Sequence, residues 1–252
     1  MSLLVDLDIY ERDAYQRAGI ELLNPVIDLL AQERVRAISF PRGRGIARLL
    51  NLLQWEADGG LEFIDGQGTH ADQLIHLGLH RLCDHKLGSA DPGAMLYAEC
   101  LASASDIYLL GKLSLAGEET DFLADTLESF SSYYELYSHH ESHLEQLLSQ
   151  LQNNPYTTML AVADYLFQFC LCLLYPTNIE AVGRELETMA DHVYQPLVHH
   201  YNTANWILTI RSKHPHPPEL PIDLCLSAIR AQLAQGEDAL LSLMRSCIDQ
   251  IS

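Results

Sequence analysis

Apolar residues recur along most of the chain at the three- and four-residue spacing that places them on one face of an α-helix. No stretch alternates convincingly between apolar and polar residues, as a half-buried strand would. After an N-terminal segment to about Leu23, the spacing predicts helices over 25–35, 46–57, 69–86, 94–110, 119–151, 155–175, 179–211 and 222–251. The pattern therefore predicts a single all-α domain over residues 1–252, a bundle of seven to nine helices.

Capping and breaking residues fix most of these boundaries. Asn24-Pro25 is typical of a helix start, because asparagine caps free backbone amides and proline fits the first turn. Thr69, with Asp72 three positions later, forms a variant of the capping box. Pro196 predicts that the 179–211 helix is kinked or divided, and Gly236 is a candidate interruption of the last helix.

The charge balance narrows the choice of partners. The chain carries 34 acidic and 15 basic residues, a net charge of −19 at pH 7. Such a polyanion repels phosphate backbones and anionic membranes, so nucleic acid and membrane are not expected partners. We expect a small-molecule ligand or a protein partner, and oligomers are compatible with the sequence.

Three features predict a cytoplasmic protein. The start of the sequence, MSLLVDLDIYERD, has no basic region followed by an apolar core, as a secretory signal would. The most apolar stretch, 159–175, contains Asp164 and Gln168, which favours a buried core helix over a membrane span. The six cysteines lie in helical patterns without a CxxC pair, which favours free thiols in a reducing compartment; they are Cys83, Cys100, Cys170, Cys172, Cys225 and Cys247.

Two carboxylates are the first candidate functional residues. Glu99 and Asp106 are the only charged residues of the 94–110 helix, which is otherwise apolar on all sides and is therefore expected at the bundle centre. They lie seven positions apart on one side, next to Ser103. Buried carboxylates need cations, hydrogen bonds, protonation or a metal. We expect both to point inward, toward a histidine of the 119–151 or 179–211 helix; the alternative is a stripe facing solvent.

The two longest predicted helices supply further candidates. On the 119–151 helix, Glu141 falls on the apolar seam with His140 at its margin, whereas Glu135 and His139 project from the opposite, solvated face. On the 179–211 helix, His200 belongs to the apolar stripe, and beside it His192 and His199 recur seven residues apart. A buried histidine can equally be a hydrogen-bonded packing residue.

The 69–86 helix carries His76 and His80, four residues apart and followed by Asp84. Two histidines at this spacing can share one metal ion. They lie opposite the apolar face of the helix, so the simpler interpretation is a solvated surface unless that face lines a cleft.

A basic segment is the candidate for binding a cofactor phosphate or another anion. Arg42, Arg44 and Arg48 lie close together in a very acidic chain, and glycines 43 and 45 would let backbone amides approach an anion. The alternative is salt bridging to the acidic surface. The segment lacks the Lys-Ser/Thr ending of a phosphate-binding P-loop.

These residues support two hypotheses about function. The first is a metal- or cofactor-dependent, oxidoreductase-like enzyme that binds iron or manganese in the bundle. In outline such a bundle is similar to ferritin-like and haem-oxygenase-like proteins, although the doubled Glu-x-x-His motif of the di-iron proteins is absent. The second hypothesis is a non-catalytic binding or regulatory protein. The candidate metal ligands are Glu99, Asp106, His140, Glu141, His192, His199, His200, His76 and His80.

Overall fold

The computed structural model describes residues 2–3, 8–31, 34–38, 61–64, 69–88, 91–217 and 224–251. These residues form twelve helices and five short strands, so the predicted all-α class is confirmed. The shorter helices are α1 (Arg12–Arg17), α2 (Leu23–Leu30), α6 (His143–Asn153), α8 (Ile179–Ala190), α9 (Gln195–His200), α10 (Thr203–Lys213) and α11 (Leu224–Leu233). The longer ones are α3 (Ala71–Leu87), α4 (Pro92–Ala116), α5 (Asp121–Tyr137), α7 (Pro155–Leu174) and α12 (Glu237–Ile251).

Strands occur where the sequence analysis expected none. β1 (Ser2–Leu3) pairs antiparallel with β3 (Arg34–Ile38), which pairs parallel with β4 (Leu61–Ile64). β2 (Ile9–Tyr10) pairs parallel with β5 (Thr69–His70). The 25–35 helix consequently ends early, at Leu30, and the predicted cap at Thr69 is wrong because that residue lies in β5. Strands of two to five residues are too short to give a clear period-two pattern.

Helix α4 is the centre of the described fold, as its apolar composition predicted. It packs mainly against α7 on one side and α3 on another. Asp91 caps its start by accepting a hydrogen bond from the Ala94 amide at 2.8 Å, and Gly117 ends it with a φ of 67°. Where α4 meets the start of α7, a Cβ added to Gly111 would lie 2.7 Å from the Cβ of Pro155, so glycine permits this close approach.

The long predicted helices are divided, which raises the helix number above the expected range. The 119–151 segment forms α5 and α6, with a turn over 138–142 that contains neither glycine nor proline. The 179–211 segment forms three helices, with one break just before Pro196 and another at Asn202, whose φ is 51°. The expected interruption at Gly236 is present, between α11 and α12.

Helix α7 carries the most apolar sequence of the chain. By length and composition alone it could cross a membrane, a test that the core helix of a globular protein also passes. In this fold Met159, Val162 and Leu166 are fully buried, and α7 packs along α4. Its single charged residue, Asp164, pairs with Arg230 at 2.9 Å.

Candidate metal centre

The candidate centre lies between α3 and α4, which run antiparallel. His76 and His80 project from successive turns of α3, and Glu99 projects from the facing side of α4. The Nε2 atoms of the two histidines are 3.2 Å apart, and Nε2 of His80 is 3.5 Å from Oε1 of Glu99. One ligand atom from each residue lies within 4.8 Å of the others. Two imidazoles and one carboxylate therefore converge on a space of the size that one metal ion occupies.

The three side chains differ in how deeply they are buried. Glu99 and His80 are almost completely buried, with exposed fractions of 1% and 2%, whereas His76 is only partly buried. The core around α4 therefore closes the inner side of the site, and His76 is its least buried member.

The carboxylate of Glu99 lacks a hydrogen-bond partner for one oxygen. Its Oε1 atom is fully buried, and no donor in the described part of the chain satisfies it. A buried polar oxygen without a partner costs free energy on the order of 1–3 kcal/mol. This orphaned oxygen is the one that faces His80, and a cation between them would compensate it.

The environment of His76 favours the neutral imidazole. Burial, and then the neighbouring His80, lower the pKa of His76 to about 3. A hydrogen bond to the backbone of Ala102 on α4 acts in the opposite direction. Neutral imidazole is the form that ligates metals, and a backbone hydrogen bond of this kind commonly orients a metal-binding histidine.

The structure corrects the sequence analysis on the partners of Glu99. The adjacent histidines come from α3, not from the 119–151 or 179–211 segments. The interpretation of His76 and His80 as a solvated face is wrong, because α4 covers this face of α3. A helix that is apolar on all sides must be surrounded, so its neighbours also bury parts of their polar faces against it. The sequence alone does not show that α4 is the helix that packs against the polar face of α3, so this burial could not be predicted.

His140 and Glu141 do not reach this centre. Both are exposed in the turn after α5, because the helix ends at Tyr137 and the apolar seam does not continue through Glu141. The turn instead gathers His140, Glu141, Glu135 and His139 around a surface cavity of about 390 Å³. Glu135 and His139 are exposed, as the sequence predicted.

The side chains of the remaining candidate histidines contact different partners and do not converge on one site. His192 is exposed in the turn before α9 and stacks on Tyr165, with ring centroids 4.5 Å apart. His199 is exposed and stacks on Tyr137 at 4.0 Å. His200 is partly buried, and its Nδ1 atom lies 3.1 Å from the Ser129 hydroxyl. His192 and His199 do not share a helix face despite their seven-residue spacing, because the helix breaks between Asp191 and Tyr194.

Asp106 lies in a second site, two helical turns from Glu99. It lines a partly open cavity of about 330 Å³ between β5, α3, α4, α5 and α9, called the acidic cavity below. Its charged and titratable lining residues are His70, Asp72, Asp106, Asp121, Asp125 and His200. Glu99 and Asp106 thus belong to different sites, although they share one side of α4. The predicted anion site at Arg42, Arg44 and Arg48 lies outside the described residues.

Comparison with protein-family models, with curated proteins and with solved structures finds no significant match for this chain.

Proposed function

We propose that this chain is a metal-dependent helical-bundle enzyme that binds one transition-metal ion between His76, His80 and Glu99. The observation that supports this most directly is the convergence of the three ligand atoms within 4.8 Å. The buried Oε1 atom of Glu99, which lacks a donor among the described residues, adds to it. A purely structural hydrogen-bonded network would be expected to satisfy that oxygen.

The donor set indicates which chemistry the ion would supply. Two histidines and one carboxylate, with other positions open, are the ligand set of non-haem iron(II) oxygenases and also of catalytic zinc sites. We propose iron, with manganese as the second choice, and an oxidoreductase activity. The similarity in outline to ferritin-like and haem-oxygenase-like bundles remains part of this proposal, supported by the all-helical architecture.

Each residue has a distinct part in the proposed centre. Glu99 supplies the negative charge that offsets the cation, and His80 fixes it against the closed side of the site. His76 provides the third ligand where solvent and a small substrate can enter. The buried surroundings of α4 exclude water from the inner side, which strengthens electrostatic interactions with the ion.

Elemental analysis of protein purified without a metal-affinity tag tests the proposal. We expect close to one iron or manganese per chain in the wild type and a loss of about tenfold or more in His76→Gln. His85→Gln is the matched control, because His85 lies on the same helix but is exposed and contacts Gln250. Failure of the wild type to retain iron, manganese or zinc would reject the metal centre. Retention of zinc alone would keep the centre and replace redox chemistry with hydrolysis.

The second candidate function is a non-catalytic binding or regulatory protein. The acidic cavity favours it, because a concave site of this kind can hold a small ligand without metal chemistry. Metal-free wild-type protein that binds such a ligand would support this alternative. For either function we propose a cytoplasmic location, since the five cysteines whose side chains the structure describes are free thiols.

A further inference from the structure

Helix α8 contains no buried residue, although it has one apolar face. Val182, Leu186 and Met189 share that face and are only partly buried against the rest of the described chain. Helix α7 is the main neighbour of α8. Because a helix in a protein is stabilised mainly by burial of its apolar face, α8 depends on further contacts to stay in place.

Two tyrosine hydroxyls supply such contacts at the end of α8. Tyr165 on α7 donates a hydrogen bond to the backbone oxygen of Met189 at 2.9 Å. Tyr134 on α5 donates to the backbone oxygen of Val193 at 2.7 Å. These bonds attach the end of α8, and the turn that leads to α9, to two neighbouring helices.

His192 holds the shape of this turn. The backbone amide of Tyr194 donates to Nδ1 of His192 at 3.2 Å, and the Tyr194 hydroxyl donates to Gln150 on α6 at 2.6 Å. An accepting Nδ1 carries no proton, so the first bond requires the neutral imidazole with its proton on Nε2. His192 is exposed, so protons from solvent can reach its ring.

Other titratable groups lie against His192. Its ring stacks on Tyr165 at 4.5 Å between centroids and lies 4.8 Å from the ring of Tyr194. Burial raises the pKa of both tyrosines, so they stay neutral at acidic pH. Burial, and then the nearby His143, lower the pKa of His192. The two histidines therefore oppose each other's protonation.

His143 begins α6 and is itself buried. Its Nδ1 atom lies 3.0 Å from the Ser138 hydroxyl, and its ring centroid lies 4.8 Å from that of His140. Burial, and then the charge of His140, lower the pKa of His143; Asp191 acts in the opposite direction and His139 in the same one. The acidic residues that line the surface cavity beside His139 and His140 are Glu135 and Glu141.

We propose that the turn between α8 and α9 is an acid-sensitive latch, in which protonation of His192 breaks its bond to the Tyr194 amide and releases α8 from α7. The protonated Nδ1 would direct an N–H group at another N–H group, and positive charges on His192 and His143 would repel each other. The latch shares no residue with the proposed metal centre and does not depend on it.

The direction of the pH response follows from the lowered pKa of His192. Its neutral ring stabilises the closed latch above the unfolded-state pKa, which is about 6.5. This contribution is lost as the pH falls through the folded-state pKa. The latch is therefore closed at neutral pH and opens at mildly acidic pH.

Hydrogen exchange of the full-length protein, measured by mass spectrometry and corrected for intrinsic exchange rates, tests the proposal. Between pH 7.5 and pH 5.0 the amides of 180–194 should lose protection by about tenfold, whereas those of 100–110 in the centre of α4 should keep theirs. In His192→Asn the side-chain oxygen can accept the same amide hydrogen in an Asx-turn but does not titrate. Protection of 180–194 in this variant should equal that of the wild type at pH 7.5 and change less than about threefold by pH 5.0.

His85→Asn is the matched control, because His85 is exposed on α3 and contacts Gln250. It should keep the response of the wild type. Equal protection of 180–194 at both pH values in the wild type would overturn the proposal, as would a full pH response in His192→Asn. Low protection in His192→Asn already at pH 7.5, or a parallel loss over 100–110 in the wild type, would also overturn it.

Discussion

Nε2 of His80 lies 3.5 Å from Oε1 of Glu99, and both side chains are 2% exposed. Two titratable groups are thus held together inside a core that consists mainly of apolar side chains. A buried pair of this kind contributes little net stability, because the desolvation of both groups offsets their mutual attraction. A role in binding an ion accounts for its presence better than a role in stabilising the fold.

The first prediction compares single and double replacements of this pair in metal-free protein. Glu99→Leu alone should reduce the free energy of unfolding by about 1–3 kcal/mol, because it removes the carboxylate beside His80 and leaves this buried imidazole with His76 as its neighbour. The double variant His80→Leu/Glu99→Leu should recover most of that loss. Urea unfolding measures both values, and a double variant as unstable as the single one would indicate a structural pair.

The second prediction concerns Asp106, whose pKa is raised by burial and then by Asp72. A carboxyl group that binds its proton more tightly in the folded state than in the unfolded state favours folding at low pH. This contribution is lost as the pH rises through the folded-state pKa. Asp106→Asn should therefore raise the thermal midpoint at pH 7.5 by roughly 2–4 °C. The difference from the wild type should shrink toward pH 4; a variant less stable than wild type at pH 7.5 would contradict this.

The third prediction uses His200, for which burial lowers the pKa to about 4. A histidine kept neutral in the folded state favours folding above its unfolded pKa, near 6.5, and loses this contribution as the pH falls toward 4. Over that interval His200→Gln should lose about 2 kcal/mol less of its free energy of unfolding than the wild type, because glutamine does not take up a proton. Its side chain can keep a hydrogen bond to Ser129, so the replacement should disturb the packing little. The exposed His85→Gln is the control, and denaturant unfolding at pH 7 and pH 4.5 gives the comparison. Equal acid sensitivity in both variants would show that His200 is not responsible.

The fourth prediction compares two helical glycines. A Cβ at Gly111 would lie 2.7 Å from Pro155, a rigid ring, and 3.3 Å from the backbone oxygen of Leu151. Gly111→Ala should therefore destabilise the protein by about 1–3 kcal/mol. At Gly183 on α8 a Cβ meets nothing within 4 Å, so Gly183→Ala should stabilise it by about 0.5–1 kcal/mol. Thermal unfolding distinguishes them, and equal effects would argue against close packing of α4 on α7.

The helical class and the central position of α4 were predictable because they follow from long periodic patterns and from uniform apolar composition. The break after α5 was not, since residues 138–142 contain no proline or glycine and the apolar seam continues in the sequence. Glu141 was misplaced for that reason. The strand Arg34–Ile38 does alternate in polarity, but its partner lies far along the chain and five residues carry a weak signal.

The candidate site was predictable in part. Glu99 could be identified as one of two charged residues in an apolar helix, and His76 and His80 as a pair at ligand spacing. Their meeting could not be predicted, because it depends on the register of α3 against α4. The same register places Asp106 near Asp72, so Asp106 does not contribute to the metal centre.

Anomalous diffraction from crystals grown with iron(II) or manganese(II) under anaerobic conditions tests the central claim most directly. We expect one strong peak between α3 and α4, about 2.0–2.2 Å from a nitrogen of His76, a nitrogen of His80 and an oxygen of Glu99. A peak at any other place, or no peak between these three residues at full metal loading, would contradict it.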